Sequence, residues 1–207
     1  MPNVTEITNN AFENCIGLLS VNIPNVTTLD SYAFSKCSKL TTVSIPNATS
    51  VGTYAFSGCS ILEEVDIPNA TKIGQGSFQS CHLLASVNMP KVTWLVSAAF
   101  NACRALTSVS LPNAIKLEQN AFYQCSKLQS VTIGASCTTI AAKTLQCGSE
   151  EYKCTFIFEG TTPPTITTTT FIVDYIDKII VPKGCGETYR TATNWVNFAN
   201  YIVEAEE

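Results

Sequence analysis

Residues Ala55 to Gly76 read AFSGCSILEEVDIPNATKIGQG, and the same pattern recurs along most of the chain. Phe12, Phe34, Phe56, Phe78, Phe100 and Phe122 stand 22 residues apart. So do Cys15, Cys37, Cys59, Cys81, Cys103 and Cys125, and the leucines from Leu18 to Leu128. Val21, Val43, Val65, Val87, Val109 and Val131 complete the set. A period of this length marks a stack of similar coils, because one short unit cannot bury its own apolar face and neighbouring copies bury it together.

The segment LxxVxIP carries the strand signal. Val and Ile two apart share one face of an extended chain. Pro24, Pro46, Pro68, Pro90 and Pro112 end the strand, since proline donates nothing to a ladder. Asn and a small residue then supply turn chemistry. A second apolar position follows at Leu29, Val51, Ile73, Leu95 and Leu117. The AFxxC segment reads as a short helical or 3-10 turn that sends Phe and Cys inward. The fold expected is a β-rich solenoid, a right-handed stack of 22-residue coils with a parallel sheet on one face, closed by a C-terminal cap.

The two ends depart from the rule. Pro2, Asn3, Val4, Thr5 and Ile7 match the second half of a unit, with Met1 where the strand Ile belongs. The chain so read starts in mid-repeat, either at a cut within a longer protein or at a natural start covered by a partner; an uncapped edge invites end-to-end self-association. After Val131 the register slips: Gly134 replaces Pro and Ile140 arrives one place late. The expected division is a solenoid over residues 1–159 (a half repeat, six regular units and one irregular unit) and a capping segment over 160–207. YKCTFIFEG reads as the irregular unit's strand, GTTPPTITTTT as a turn-rich linker and KIIVPKG as a short strand. GETYRTATNWVNFANYI reads as starting in a helix.

Composition narrows the function. The chain is 45% hydrophobic and only 14% charged, so it buries much of its surface or associates. A net charge of -4 with no basic stripe argues against nucleic acid. No apolar run approaches the roughly 20 residues of a membrane-spanning helix, so no membrane insertion is expected. The start, MPNVTEITNN, has neither a basic n-region nor an apolar h-region. The protein is then cytoplasmic or its signal has been removed, and the mid-repeat start favours removal.

Units of the form LxxVxIPxxxTxIxxxAFxxCxxL resemble the BspA-type, or treponemal-type, leucine-rich repeats. The ending FEGTTPPTI followed by KIIVPKGCGETYRTATNWVNFANYI is similar to the segment that often closes such arrays. Most units here are one residue shorter than the commoner form, which shortens the turn after proline. The resemblance implies a leucine-rich-repeat α/β solenoid. It also implies a bacterial cell-surface or secreted protein engaged in adhesion to host, matrix or other cells, with no shared catalytic residues.

Candidate sites are few. The cysteine ladder reads first as a row of buried thiols, with disulfides or metal binding as lesser alternatives. Cys137, Cys147, Cys154 and Cys185 lie off the ladder, where a bridge near the cap is an open alternative. His82 follows Cys81, the residue pair of a nucleophile and its base, but Cys81 holds an inward place whose five equivalents have no histidine. Four Asn-x-Thr sequons begin at Asn3, Asn25, Asn47 and Asn69; the repeat itself generates them. Tyr32 and Tyr54, one period apart, are expected to stack along an edge.

The positions free to vary matter more. Places two, three and five of LxxVxI face away from the core and are mostly small and polar, with one acidic rung at Glu63, Glu64 and Asp66 beside Asn88. That rung suits a basic partner or a hard cation, or is simply a solvated face. Trp94 stands where other units carry Thr28, Ser50, Lys72 or Lys116, either as a contact hot spot or packed over a neighbouring coil. The expectation is a non-enzymatic module with no cofactor and no bound metal, binding a protein or glycan on its strand face. Glu63, Glu64, Asp66, Asn88 and Trp94 are its candidate ligand residues. The alternative is a structural spacer that displays another part of a larger surface protein.

Overall fold

Val21, Val43, Val65 and Val87 stand side by side on successive parallel strands, one coil apart. The computed structural model describes residues 4–206, so Met1, Pro2 and Asn3, with the first sequon, lie outside the described residues. The architecture is a β-rich solenoid of 22-residue coils with parallel sheets and little helix. The LxxVxI segments and the strands that continue their line form two parallel sheets: four strands from Ser20–Asn22 to Ser86–Asn88, and five from Ser108–Leu111 to Ile202–Glu204.

The coils as far as Thr139–Ile140 also contribute a second strand. The two-residue segments Glu6–Ile7, Thr28–Leu29, Ser50–Val51, Lys72–Ile73, Trp94–Leu95, Lys116–Leu117 and Thr139–Ile140 form a seven-stranded parallel sheet. In each, the second residue is buried and the first points out, as the strand period of two requires. The Pro-Asn-x-Thr turn between the two strands is braced along the stack. Asn47, Asn69 and Asn113 donate to the Pro24, Pro46 and Pro90 carbonyls at 2.7, 2.8 and 2.9 Å. Thr49, Thr71 and Thr93 donate their hydroxyls to the threonine carbonyl one coil back, at 3.2, 3.2 and 3.1 Å.

The AFxxC segments are runs of tight turns. Ala55, Ser57 and Cys59 bond to carbonyls three residues back, whereas Tyr54, Phe56 and Gly58 donate to the next coil. This alternation satisfies the backbone both locally and between coils. It needs left-handed residues two places either side of each Phe, and Tyr32, Lys36, Tyr54, Gly58, Ala98 and Ala102 adopt that conformation. The six Phe rings stack nearly parallel, with centroids 5.1 to 5.6 Å apart. Tyr32 and Tyr54 stack at 5.3 Å.

The coil geometry outlives the sequence pattern. The strand ladder steps from Val131 to Phe156, Ile179 and Ile202, advances of 25, 23 and 23 residues. In the second sheet's line, Thr165 bridges Thr139, and in the Phe line Leu145 bridges Phe171. GTTPPTITTTT therefore lays down part of a coil, with Ile166 buried, where its composition reads as a linker. The expected helix is Gly186–Thr191, and a 3-10 segment follows at Trp195–Tyr201. Their aromatics seal the end of the core. Trp195 meets Phe158 and Tyr189 edge to face at 5.1 and 4.9 Å. Trp195 Nε1 donates to the Pro164 carbonyl at 2.8 Å, and the Tyr189 hydroxyl to that of Gly160 at 2.7 Å.

Candidate functional site

The ladder cysteines are core. From Cys37 to Cys125 they are buried free thiols, and only Cys15, at the N-terminal end, is half-buried. Each of these five thiols donates to the Phe carbonyl 25 residues earlier, at 3.1 to 3.2 Å. Burial pushes the Cys125 thiol up to about 12 and that of Cys81 further. A catalytic nucleophile needs the opposite shift. Cys81 points into the core toward the Phe56 carbonyl, while His82 is half-buried on the turn beside it. Among the described residues no cluster of three or more His, Cys, Asp or Glu is arranged to hold a metal ion.

The acidic rung lies on the LxxVxI ladder. Glu63 and Glu64 are exposed, and Glu64 and Asp66 stand in register with Thr42 and Ser44 on one side and Ser86 and Asn88 on the other. Asn88 Nδ2 donates to Asp66 Oδ1 at 2.8 Å, so these two act as one polar unit. A shallow groove crosses the same face, lined by Ser20, Asn22, Thr42, Ser44, Glu64 and Asp66. Short polar side chains leave the groove open, and its two carboxylates lie at one end of this line of residues.

Trp94 is on the other sheet. The turn from Ile67 to Thr71 separates the two strands of each coil, so the structure does not join Trp94 to the acidic rung. Its neighbours are Lys72 and Lys116, one coil either side in strict register. Their ammonium groups lie 4.5 and 5.2 Å from the ring centroid, within cation–π range. Trp94 Nε1 donates to Glu118 Oε1 at 3.0 Å, and Lys116 pairs with the same oxygen at 3.0 Å. Ser97 donates to Glu118 Oε2 through its backbone N–H and its hydroxyl, at 3.2 and 3.1 Å. Partial burial raises the Glu118 pKa, but the bonds from Lys116, Ser97 and Trp94 outweigh it and hold the carboxyl below its usual value. Trp94 thus packs over neighbouring coils and remains 37% exposed, beside the exposed Ile115. The lysines were legible from the period, while Ser97 and Glu118 were not singled out, because they lie in the turn and off the Trp94 period.

The family described as the BspA type leucine rich repeat region matches in six copies, over residues 1–97, 49–148 and 71–192. No match was found among curated proteins. The solved structure of a T. pallidum leucine rich repeat protein is similar, with a TM-score of 0.60 and 22% identity, covering 69% of this chain and 73% of that one. A leucine-rich repeat protein from Bacteroides ovatus aligns at 17% identity and a TM-score of 0.38, over 79% of this chain and 63% of its own. A leucine rich cell surface protein from Faecalibacterium prausnitzii aligns at 18% identity and 0.36, over 99% and 84%. Among the described residues no helix is long and apolar enough to cross a membrane.

Proposed function

Because the chain belongs to the BspA-type leucine-rich-repeat family, we propose that it is a non-catalytic binding module that takes a protein or glycan on its LxxVxI strand face. One observation carries this reading: the positions free of the repeat consensus line an open groove, from Ser20 and Asn22 to Glu64 and Asp66. The consensus positions are occupied in holding coils together, which leaves these side chains free to contact a partner. The carboxylates of Glu64 and Asp66 favour a partner that presents basic or hydroxyl-rich groups there.

The same family membership supports a place at the cell surface or in secretion. Residues 160–207 would serve as the closing cap of the array, sealing it with Tyr189, Trp195 and Phe198. Trp94, Lys72 and Lys116 form a separate patch on the adjacent sheet, suited to a secondary contact. The test is a screen of the isolated chain against protein and glycan arrays, repeated with the double variant Glu64→Lys, Asp66→Lys. Binding lost in the variant supports the groove, and binding retained moves the site elsewhere. A clean negative in both favours the spacer reading.

A further inference from the structure

The two faces of the solenoid carry opposite charge. Glu63, Glu64 and Asp66 stand on the LxxVxI side. On the second sheet and its turns, residues 68–76, 90–98 and 112–120 hold Lys72, Lys91 and Lys116 against a single carboxylate, Glu118. Positive charge is therefore left over on this face, in a chain whose net charge is -4.

Three departures from the repeat meet here. Lys91 replaces the asparagine of other coils, Asn25, Asn47, Asn69 and Asn113, and its ammonium donates to Asn69 Oδ1 at 2.7 Å. Trp94 stands where Thr28 and Ser50 stand, and Ile115 where Thr49, Thr71 and Thr93 stand. Those threonines give their hydroxyls to the coil before them. Ile115 forgoes that bond and, like Trp94, is exposed. With Thr93 and Lys116 the two line one shallow depression. Neither exposed side chain serves the core.

The geometry limits what can be recognised. Strands Lys72–Ile73, Trp94–Leu95 and Lys116–Leu117 are each paired on both sides, so no edge is open here to an added peptide strand. What reaches solvent is an indole, an aliphatic chain and ammonium groups. Lys116 is paired with Glu118, whereas Lys72 lies over the Trp94 ring and Lys91 on a neutral amide. Among the described residues those two lysines have no carboxylate partner, so they supply the net attraction for an anion.

We propose that this patch binds an acidic polysaccharide. The C–H faces of its sugars pack on Trp94 and Ile115, and its anionic groups meet Lys72 and Lys91. These residues belong to three successive coils, with rungs about 4.8 Å apart, so the sugar chain runs along the stack. It offers apolar ring faces and charged substituents together, the combination that this surface complements. The site is separate from the LxxVxI groove, and its failure would leave that reading untouched.

The test titrates the full chain with chondroitin sulfate, unmodified dextran and poly-L-glutamate, followed by calorimetry and tryptophan emission. The chain has two tryptophans, and Trp195 is buried in the cap, so a change in emission reports on Trp94. Chondroitin sulfate is expected to bind and shift the emission, dextran to do neither, and poly-L-glutamate to bind about tenfold more weakly. Trp94→Thr and Lys72→Ser install residues that other coils carry at the same place, and each is expected to weaken binding about tenfold. Either variant decides the matter if the other melts early. Lys39→Ala removes an exposed lysine elsewhere and is expected to bind like the parent. No binding of chondroitin sulfate, or undiminished binding by Trp94→Thr, would overturn the proposal. Poly-L-glutamate binding as tightly would replace the sugar with an acidic peptide, and an equal loss in Lys39→Ala would reduce the site to general charge attraction; both outcomes also overturn it.

Discussion

The Cys81 thiol donates to the carbonyl of Phe56, an oxygen that also accepts the backbone N–H of Cys59, at 3.2 and 3.1 Å. The first bond crosses between coils and the second closes a turn within one. Cysteine is thus more than a small apolar filler in this repeat. Its sulfur fills the space beside the Phe stack, and its proton ties each coil to the one before. Cys81→Ala removes both and leaves the carbonyl with its turn bond. The expected loss is about 1–2 kcal/mol, combining a weak hydrogen bond with a small cavity, read from urea unfolding. A variant as stable as the parent would show that the thiol contributes only occupancy.

The same geometry sets an order of reactivity. Cys15 is half-buried at the end of the ladder, whereas Cys81 and Cys103 are sealed and their thiols are pushed up by burial. In the native reduced protein, an alkylating reagent is expected to modify Cys15 well before either of the others. Time-resolved peptide mapping reads this directly. Equal rates would mean that the coils open together.

Phe78 lies within the stack, fully buried with rings on both sides at 5.3 and 5.1 Å. Phe12 is half-buried, with Phe34 as its neighbour at 5.1 Å. Phe78→Ala is expected to cost about 3–5 kcal/mol, because the coils above and below keep their spacing and leave a cavity. Phe12→Ala should cost clearly less, since solvent and relaxation fill the gap. Comparable losses in thermal unfolding would argue that the end coil is as tightly held as the middle.

These ladders were legible because the information is repeated: Phe, Cys, Leu and Val at one interval, each identifiable as an inward position. The turn conformation was hidden, since Tyr32, Tyr54 and Ala98 are not residues that favour a left-handed backbone. Hydrogen bonds to the next coil hold them there. The last coils were hidden for the opposite reason. There the backbone register persists through Thr139–Thr165 and Phe156–Ile179–Ile202 while the side chains change. For the candidate site, the period placed Lys72 and Lys116 beside Trp94 but was silent on Glu118, which reaches it from the following turn.

Gly134 marks the point where the regular units end. It takes the place that Pro112 holds one coil earlier, and a Cβ there would overlap the Pro112 carbonyl. Its N–H donates to the Leu111 carbonyl at 3.0 Å, a bond that proline could not make. Gly134→Ala is therefore expected to destabilise by about 1–3 kcal/mol through backbone displacement. Restoring the consensus with Gly134→Pro should do more harm, despite matching every earlier unit. Denaturant midpoints of the two variants decide this, and a neutral Gly134→Pro would show that the irregular coil can adopt the regular turn.

Glu204 fastens the end of the chain. Its carboxylate accepts the N–H groups of Gly184 and Gly186 at 2.8 and 2.9 Å, tying the turn before the last helix to the final strand. Those two backbone bonds, with help from Arg190 and Lys183, hold its pKa below the ordinary carboxylate value of 4.5. A depressed pKa means that the folded state binds the proton less well than the unfolded state. The stabilisation is thus complete above that ordinary value and is lost as pH falls through the lowered one. Glu204→Gln keeps an accepting oxygen but removes the charge, so the variant should melt earlier than the parent at neutral pH. The difference should shrink steadily once the pH drops below 4.5. Because the group is exposed, the effect is modest, and added salt should reduce it at neutral pH. A gap that stays constant through the acid range would show that the loss comes from amide geometry, not from the carboxylate's charge.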